Sequence, residues 1–312
     1  MSSDMNPVLE RMQAEKRSVA LNSLLAALAI TVLKLLVGLT TRSLGILSEA
    51  AHSGLDLVAA LVTLLSVRVS DKPADAEHQY GHGKVENFSA FIETGLLLLT
   101  CVWIVSEAIR RLSGHHSVHI EPSIAAFAVM FLSMAVDWWR SHKLQRIAEK
   151  YDSQALEADA LHFSTDIVSS GVVALGLALV WAGVHWQVPW LVKADSVAAL
   201  LVSGVIVYVS SRLARRTIDA LLDAAPAGTR NRIIDAALKV DGVIEVERAR
   251  TRRAGNRYFA DLTVGLARNV TFQRSGQVVA EITRAVQAIL PDADVVIHSV
   301  PRETGHENIF DR

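Results

Sequence analysis

Two short stretches repeat one set of ionisable side chains. "SEAAHSGLDLVA" at 48–59 carries Glu49, His52 and Asp56, and "LEADALHFSTDIV" at 156–168 carries Asp159, His162 and Asp166. In both, an acid is followed by His three residues later and by Asp four residues after that. On a helix, residues four apart stand one above the other, so His52 and Asp56 share a face, as do His162 and Asp166. A single His with Asp at i+4 is the ordinary hydrogen-bonded pair of a protein core. Two such helices facing each other enclose two imidazole nitrogens and two carboxylate oxygens. That donor set suits tetrahedral Zn²⁺; Mg²⁺ and Ca²⁺ want six or more oxygens.

The elements that must position these residues are membrane spans. The chain has 312 residues, 51% of them hydrophobic, and a span needs about 20 mostly apolar residues. Six candidates read at about 18–40, 46–68, 88–111, 121–140, 160–182 and 190–211. The fifth has no Asp, Glu, Lys or Arg between Asp166 and Lys193. Lys34, Asp56, Glu93 and Asp137 interrupt the others. Trp138, Trp139, Trp181, Trp186 and Trp190 fall near span ends, as an aromatic belt requires. The alternative is a soluble helical bundle. An ionised Asp inside a bilayer costs several kcal/mol unless it is paired or wet, and enclosing a cation lets two helices share that cost. If the second span starts near Ile46, His52 to Asp56 lie roughly 9–15 Å in, at about 1.5 Å per residue. That is near the middle of a hydrocarbon core of about 30 Å.

Basic residues set an orientation. Arg11, Lys16, Arg17, Arg68, Lys72, Lys84, Arg140, Lys143, Arg146, Lys150, Arg212, Arg215 and Arg216 fall on one side; Arg42, Arg110, Arg111 and Lys193 fall on the other. The richer side, with both termini, is expected to be cytoplasmic. The first seventeen residues are polar and resemble no signal peptide. A net charge of −1 gives no case for a nucleic-acid partner. Cys101 is the sole cysteine and reads as an apolar filler.

The chain changes style near "LLDAAPAGTR" at 221–230, where Pro226 and Gly228 end the helical region. "RNRIIDAALKV" predicts a helix. "VIEVERARTRR" and "RYFADLTVGLA" predict strands joined at "AGN". "SGQVVAEITRAVQAIL" predicts a second helix and "ADVVIHSV" a third strand. The expected architecture is membrane α-helical: a six-helix transport domain at 1–222, then an αββαβ, ferredoxin-like domain at 223–312.

With those residues in view, the sequence resembles the cation diffusion facilitator family. The resemblance rests on His52 with Asp56, His162 with Asp166, "YGHGKVE" at 80–86, "ADALH" at 158–162 and "LLDAAP" at 221–226, and it covers almost the whole chain. It implies a homodimer, a transport site between spans two and five, and metal/proton antiport. It also implies that a His at position 52 goes with zinc selectivity, whereas an Asp there goes with broader metal use. Asp75, His78 and His82 in the loop after span two match a second zinc site of some relatives; a solvated polar loop is the other reading. Lys84 and Asp223 match a charge lock between the membrane and soluble parts. Glu49 and Asp159, one helical turn from each His, are candidates to guide the ion or orient the imidazole; a wet helix-end carboxylate is the alternative.

The soluble domain departs from the family. Positions that relatives use for zinc are here Glu247, Thr263, Gly276 and Val300, leaving only His298. The domain is expected to dimerise rather than sense metal. His115, His116 and His119 crowd an outer loop, read as polar and wet, and His306 lies in a tail expected to be disordered. The combined expectation is a non-enzymatic, homodimeric, multi-pass protein of the inner (plasma) membrane. It carries no resident cofactor, and its ligand is transported Zn²⁺, exchanged for protons. The alternatives are export of Mn, Fe, Co, Ni or Cd on the same fold, or a membrane scaffold that binds metal without moving it.

Overall fold

A computed structural model describes residues 7–42, 44–112, 124–185, 191–225 and 228–303. Six long helices come first: α1 (Pro7–Thr41), α2 (Leu44–Ser70), α3 (Lys84–Leu112), α4 (Ile124–Tyr151), α5 (Gln154–His185) and α6 (Leu191–Leu221). The chain then forms α7 (Thr229–Leu238), β1 (Val243–Ala254), β2 (Arg257–Ala267), α8 (Phe272–Gln287) and β3 (Asp294–Arg302). Two compact units result, Met1–Ile218 and Asp219–Arg312.

The helical unit is inside-out relative to a water-soluble bundle. The buried residues of α1 are Gln13, Lys16, Ala20, Ser23, Ala27, Ile30, Lys34 and Gly38. They recur every three or four residues, so they form one stripe, and that stripe is small or polar. The large apolar side chains Leu25, Leu28, Val32, Leu36 and Leu39 face outward. In lipid this costs nothing, because the surroundings are as apolar as leucine, and small residues let helices approach closely. Gly38 shows the approach: a Cβ there would lie 2.9 Å from Leu47 Cδ2 and 3.1 Å from the Leu47 backbone nitrogen. Among the described residues, the stretches Pro7–Thr41, Glu49–Ser70 and Lys84–Val102 are long and apolar enough to cross a membrane, with mean hydropathy of 2.1, 1.6 and 1.4. Trp138 and Trp139 are exposed on α4, as a belt residue must be. Trp186 and Trp190 lie outside the described residues, as do the side chains of Trp181, Arg110, Arg111 and Lys193.

An apolar cluster of Ala20, Leu64, Val67, Leu144, Ala148, Ala155, Leu156, Ala160 and Phe163 joins α1, α2, α4 and α5. Cys101 is fully buried with Leu97 and Ile206, the filler role its neighbours implied. The α2–α3 end of the bundle is closed by ions. Lys16 is fully buried, with Nζ 3.4 Å from Asp71 Oδ1 and 3.2 Å from Glu86 Oε2. Arg17 Nε reaches Asp71 Oδ2 at 3.2 Å. The hydroxyls of Ser70 and Ser153 also donate to Glu86. Two members of the basic-residue tally are buried inside the bundle. Lys16 is in this cluster, and Arg140 is 2% exposed inside the bundle, stacked 3.5 Å from the Phe163 ring. Both are neutralised internally and carry no weight in an orientation argument.

In the soluble unit, β1 and β2 form an antiparallel hairpin with Ala254 opposite Arg257. Gly255 supplies the positive φ of 60° that the tight turn needs. β3 adds in parallel beside β2, so it requires a crossover, which α8 provides. Thr271 caps α8 by accepting from the Arg274 backbone N–H. Ile233, Ala237, Leu262, Val264, Val278, Ile282 and Val286 form the core between helices and sheet. This is the expected αββαβ order, with boundaries within three residues of the sequence reading.

Candidate metal centre

The acid–His–Asp repeats lie on α2 and α5, and the two helices bring four side chains together. Ligand atoms of His52, Asp56 and Asp166 all lie within 4.8 Å of one another. His162 joins them through Nε2, 3.1 Å from Asp56 Oδ1 and 3.6 Å from Asp166 Oδ2. Metal–ligand bonds of about 2.0–2.1 Å in a tetrahedron set ligand atoms about 3.3 Å apart, so the two His162 distances already match a shared ion. Asp56, His162 and Asp166 are mostly buried, with side chains 13%, 15% and 18% exposed; His52 is the exposed member. The local cause is periodicity. His52 and Asp56, and likewise His162 and Asp166, are one turn apart on the faces that meet, while Leu55 and Val58 on α2 point outward.

The repeated acids have different surroundings. Glu49 is exposed and pairs with Lys34, Oε2 to Nζ at 3.3 Å. Lys34 Nζ also donates to Ser53 Oγ at 2.8 Å. Asp159 is 1% exposed, with Oδ2 accepting from Ser23 Oγ at 3.5 Å. The wet helix-end reading thus fails for Asp159.

The loop between α2 and α3 forms a second cluster. Asp75 Oδ1 lies 3.3 Å from His78 Nδ1, and Asp75 Oδ2 lies 3.4 Å from His82 Nε2. The two imidazole centroids are 4.4 Å apart. Asp75 also accepts from the backbone N–H groups of His78 (2.6 Å) and Glu77 (3.0 Å). These bonds, led by that from His78, hold its carboxyl below the usual carboxylate range. Gly81, at φ 79°, turns the chain so that His82 swings back over His78. One acid and two imidazoles preassembled in this way can take up a transition-metal ion.

Lys84 opens α3, and Asp223 follows α6, with Oδ2 3.6 Å from Arg252 Nη1 within the soluble unit. In the soluble unit, His298 stands opposite Thr263 in the β2–β3 ladder. Glu247 is engaged by Arg302, which also reaches Glu245 at 2.7 Å. Among the described residues, the two clusters that can hold a metal both belong to the helical unit. His115, His116, His119 and His306 lie outside the described residues.

Comparison with known proteins decides the family. The description "Cation efflux transmembrane domain" matches residues 20–222, and "Cation efflux protein, cytoplasmic domain" matches residues 225–302. The chain belongs to the cation diffusion facilitator, or cation efflux, family. This cation efflux protein is 29% identical over 288 residues to the cation-efflux pump FieF of Cronobacter sakazakii (strain ATCC BAA-894), covering 90% of this chain and 91% of that protein. It is also 29% identical over 293 residues to the FieF pump of Yersinia pestis (strain Pestoides F), covering 91% and 92%. A solved structure of a nickel form of a MamM CTD variant aligns with 25% of this chain and all of its own, at 24% identity and a TM-score of 0.24. The protein is therefore a multi-pass membrane cation efflux protein with a C-terminal cytoplasmic domain, from a family of transporters.

Sequence reasoning passed over several buried charges of this bundle. Glu93, Asp137, Arg140, Lys16 and Glu86 all lie inside it. The signal was present: Lys34, Glu93 and Asp137 break apolar runs, and an ionisable residue within a span faces the bundle interior by default.

Proposed function

We propose that this protein exports zinc from the cytoplasm in exchange for protons, through a four-coordinate site made by His52, Asp56, His162 and Asp166. The observation that supports the reading is His162 Nε2 on α5, 3.1 Å and 3.6 Å from two different aspartates, both of which have a carboxylate oxygen within 4.8 Å of a ring nitrogen of His52. Nitrogen donors favour zinc over harder cations that prefer all-oxygen sites. Protons and zinc compete for the same ring nitrogens. A site facing a more acidic outside is protonated and releases metal; facing the cytoplasm, it loses protons and reloads. The protein acts as a homodimer of the inner membrane with both termini cytoplasmic, and the movement of the ion is no enzymatic reaction. Asp75, His78 and His82 collect zinc at the cytoplasmic mouth. Asp159 steadies His162 from the cytoplasmic side, and Glu49, through Lys34, sets charge on the other.

The test is uptake of radioactive zinc into inverted vesicles with and without a pH gradient, in competition with Mn, Fe, Co, Ni and Cd. Gradient-driven uptake favouring zinc supports the reading. A different preferred metal moves the assignment to another exporter on the same fold, and binding without uptake reduces the protein to a metal-binding scaffold. The sharper probe is His52→Asp. It should admit Cd, Mn or Fe more readily relative to zinc and shift the pH profile of transport toward acid. An unchanged metal ranking and profile, measured in proteoliposomes with a metal indicator, would remove His52 from selectivity and coupling alike.

A further inference from the structure

Six buried side-chain polar atoms lack a hydrogen-bond partner among the described residues, and four of them belong to Ser66, Glu93, Asp159 and Ser210. These four residues lie on four different helices, and interhelical contacts relate their levels along the bundle. Thr63 donates to Glu93 Oε1 at 2.6 Å, and Ser70 donates to Glu86. These two pairs fix an antiparallel α2–α3 register that sets Ser66 opposite Ala90. Asn87 donates to Gln154 at 2.7 Å, and Ala90 clusters with Ala158 and Leu161. That parallel α3–α5 register raises Glu93 to the level between Asp159 and His162. Ala90 also clusters with Leu213, and Leu97 with Ile206, so Ser210 on α6 stands at the level of Glu93.

Glu93 is thus a carboxyl, 5% exposed, with one oxygen fully used and the other with no partner. Oε1 accepts from Thr63 and from Ser89 Oγ at 3.0 Å; Oε2 has no protein donor. Asp159, 1% exposed, has the same asymmetry: Ser23 approaches Oδ2, and Oδ1 is left over. Among the described residues, Asp159 and His162 from α5 are the charged or titratable groups that act on Glu93, and α2 reaches it with the hydroxyl of Thr63. Buried polar atoms almost always find a partner, and a buried carboxyl without one is best accommodated with a proton on it, since burial disfavours the charged form. Below Glu93, Ser66, Ser70 and Glu86 continue a polar seam along α2–α3 to the Lys16–Asp71–Arg17 cluster, where Arg17 is 45% exposed.

We propose that Glu93, paired with Asp159, is a proton-holding site separate from the metal ligands, standing between them and the cytoplasm. This rests on the antiport reading. When metal displaces a proton from a ring nitrogen of the transport site, the N–H bond breaks and an O–H bond forms at the Glu93–Asp159 pair. That O–H later breaks as the proton leaves along the Ser66–Ser70 seam to cytoplasmic water. No electron is transferred, and one proton enters the pair for each that leaves.

The experiment uses full-length protein in proteoliposomes, zinc as the probe, and metal and pH indicators read together. In Glu93→Gln, the protons moved per zinc should fall at least twofold and the pH dependence of the rate should flatten. Zinc affinity at one fixed pH should stay within about threefold of wild type. Wild type moving zinc without counter-moving protons defeats the antiport reading. Wild type coupled and Glu93→Gln equally coupled, with the same pH profile, overturns this inference alone. Infrared difference spectra on adding zinc give a second readout independent of flux. A protonated-carboxyl band should rise in wild type on zinc addition, as the displaced ring proton arrives, and this rise should be absent from Glu93→Gln and shifted in frequency in Ser210→Ala. The same band in wild type and Glu93→Gln refutes the assignment even where the variant transports poorly.

Discussion

Lys16→Met tests whether the α2–α3 end of the bundle is held by its buried charges. The Lys16 ammonium is fully buried between Glu86 Oε2 at 3.2 Å and Asp71 Oδ1 at 3.4 Å. At about 3.3 Å and an effective dielectric near 20, each contact is worth about 5 kcal/mol of Coulomb attraction. Desolvation of each ion offsets several kcal/mol of that, so the cluster's net contribution is small. The variant is a different matter, because methionine fills the volume and leaves two buried carboxylates with one shared cation fewer. Breaking a buried pair in this way costs about 3–5 kcal/mol. Burial already pushes the Asp71 carboxyl above its usual range, with Lys16 and Arg17 pulling it back. An acid whose folded value exceeds its unfolded value binds its proton more tightly when folded, so stability falls as pH rises through that window. Removing Lys16 widens the window, so the defect should be largest at neutral pH and shrink on acidification. Equilibrium unfolding by graded SDS in mixed micelles, from pH 7 down to pH 5, measures both. Adding Glu86→Gln to Lys16→Met should recover part of the loss. A loss below about 1 kcal/mol, the scale of an exposed pair, or one independent of pH, would refute the reasoning.

Asp56→Ala and Asp166→Ala should each abolish zinc flux while leaving the helical content and any dimer unchanged, as read by proteoliposome uptake and by size-exclusion chromatography; wild-type flux in either removes the residue from the site. Asp75→Asn should weaken zinc binding to the α2–α3 loop at least tenfold in equilibrium dialysis. The backbone N–H of His78 holds the Asp75 carboxyl below its ordinary range. Its contribution to the turn is therefore complete above that range and is lost only as pH falls through the lowered value. The acid midpoint of loop binding should therefore not be set by Asp75 and should stay put in the variant. Lys84→Asp should impair transport, and the double exchange Lys84→Asp with Asp223→Lys should restore it; failure of the exchange argues against a direct pair, because Asp223 already has Arg252 at 3.6 Å.

What the sequence disclosed and what it withheld divide along range. The four side chains proposed as transport ligands could be paired from the sequence because each helix declares its own face: His52 with Asp56, and His162 with Asp166, are one turn apart. An ionised residue in an apolar run must point inward. The soluble domain was legible for the same reason, since alternation and turn residues such as Gly255 act over a few positions. The ion clusters were not. Lys16 and Arg140 sit near span ends among other basic residues, and composition alone ranks them with Lys143 and Arg146 as loop charges. Only the approach of α1 to α3 brings Lys16 within reach of Glu86, 70 residues away. Only α4 against α5 sets Arg140 over the Phe163 ring.

The two repeats also differ in a way their spacing hides. The spacing makes Glu49 and Asp159 equivalents, yet one is exposed beside Lys34 and the other is sealed beside Ser23. The cause is the direction of the helices. α2 and α5 run oppositely, so the residue three positions before each His lies toward opposite ends of the bundle. Asp159 falls where α1, α3, α4 and α5 crowd together, and Glu49 falls at the exposed end of α2, where Lys34 reaches it. A symmetric motif on antiparallel helices therefore yields an asymmetric site. Its α2–α3 side is lined with sealed carboxyls that can hold protons. Its other side carries an exposed glutamate and a lysine. The proposed exchange of metal for protons would draw on that difference, because the two faces of the site would then hand over different ions in opposite directions.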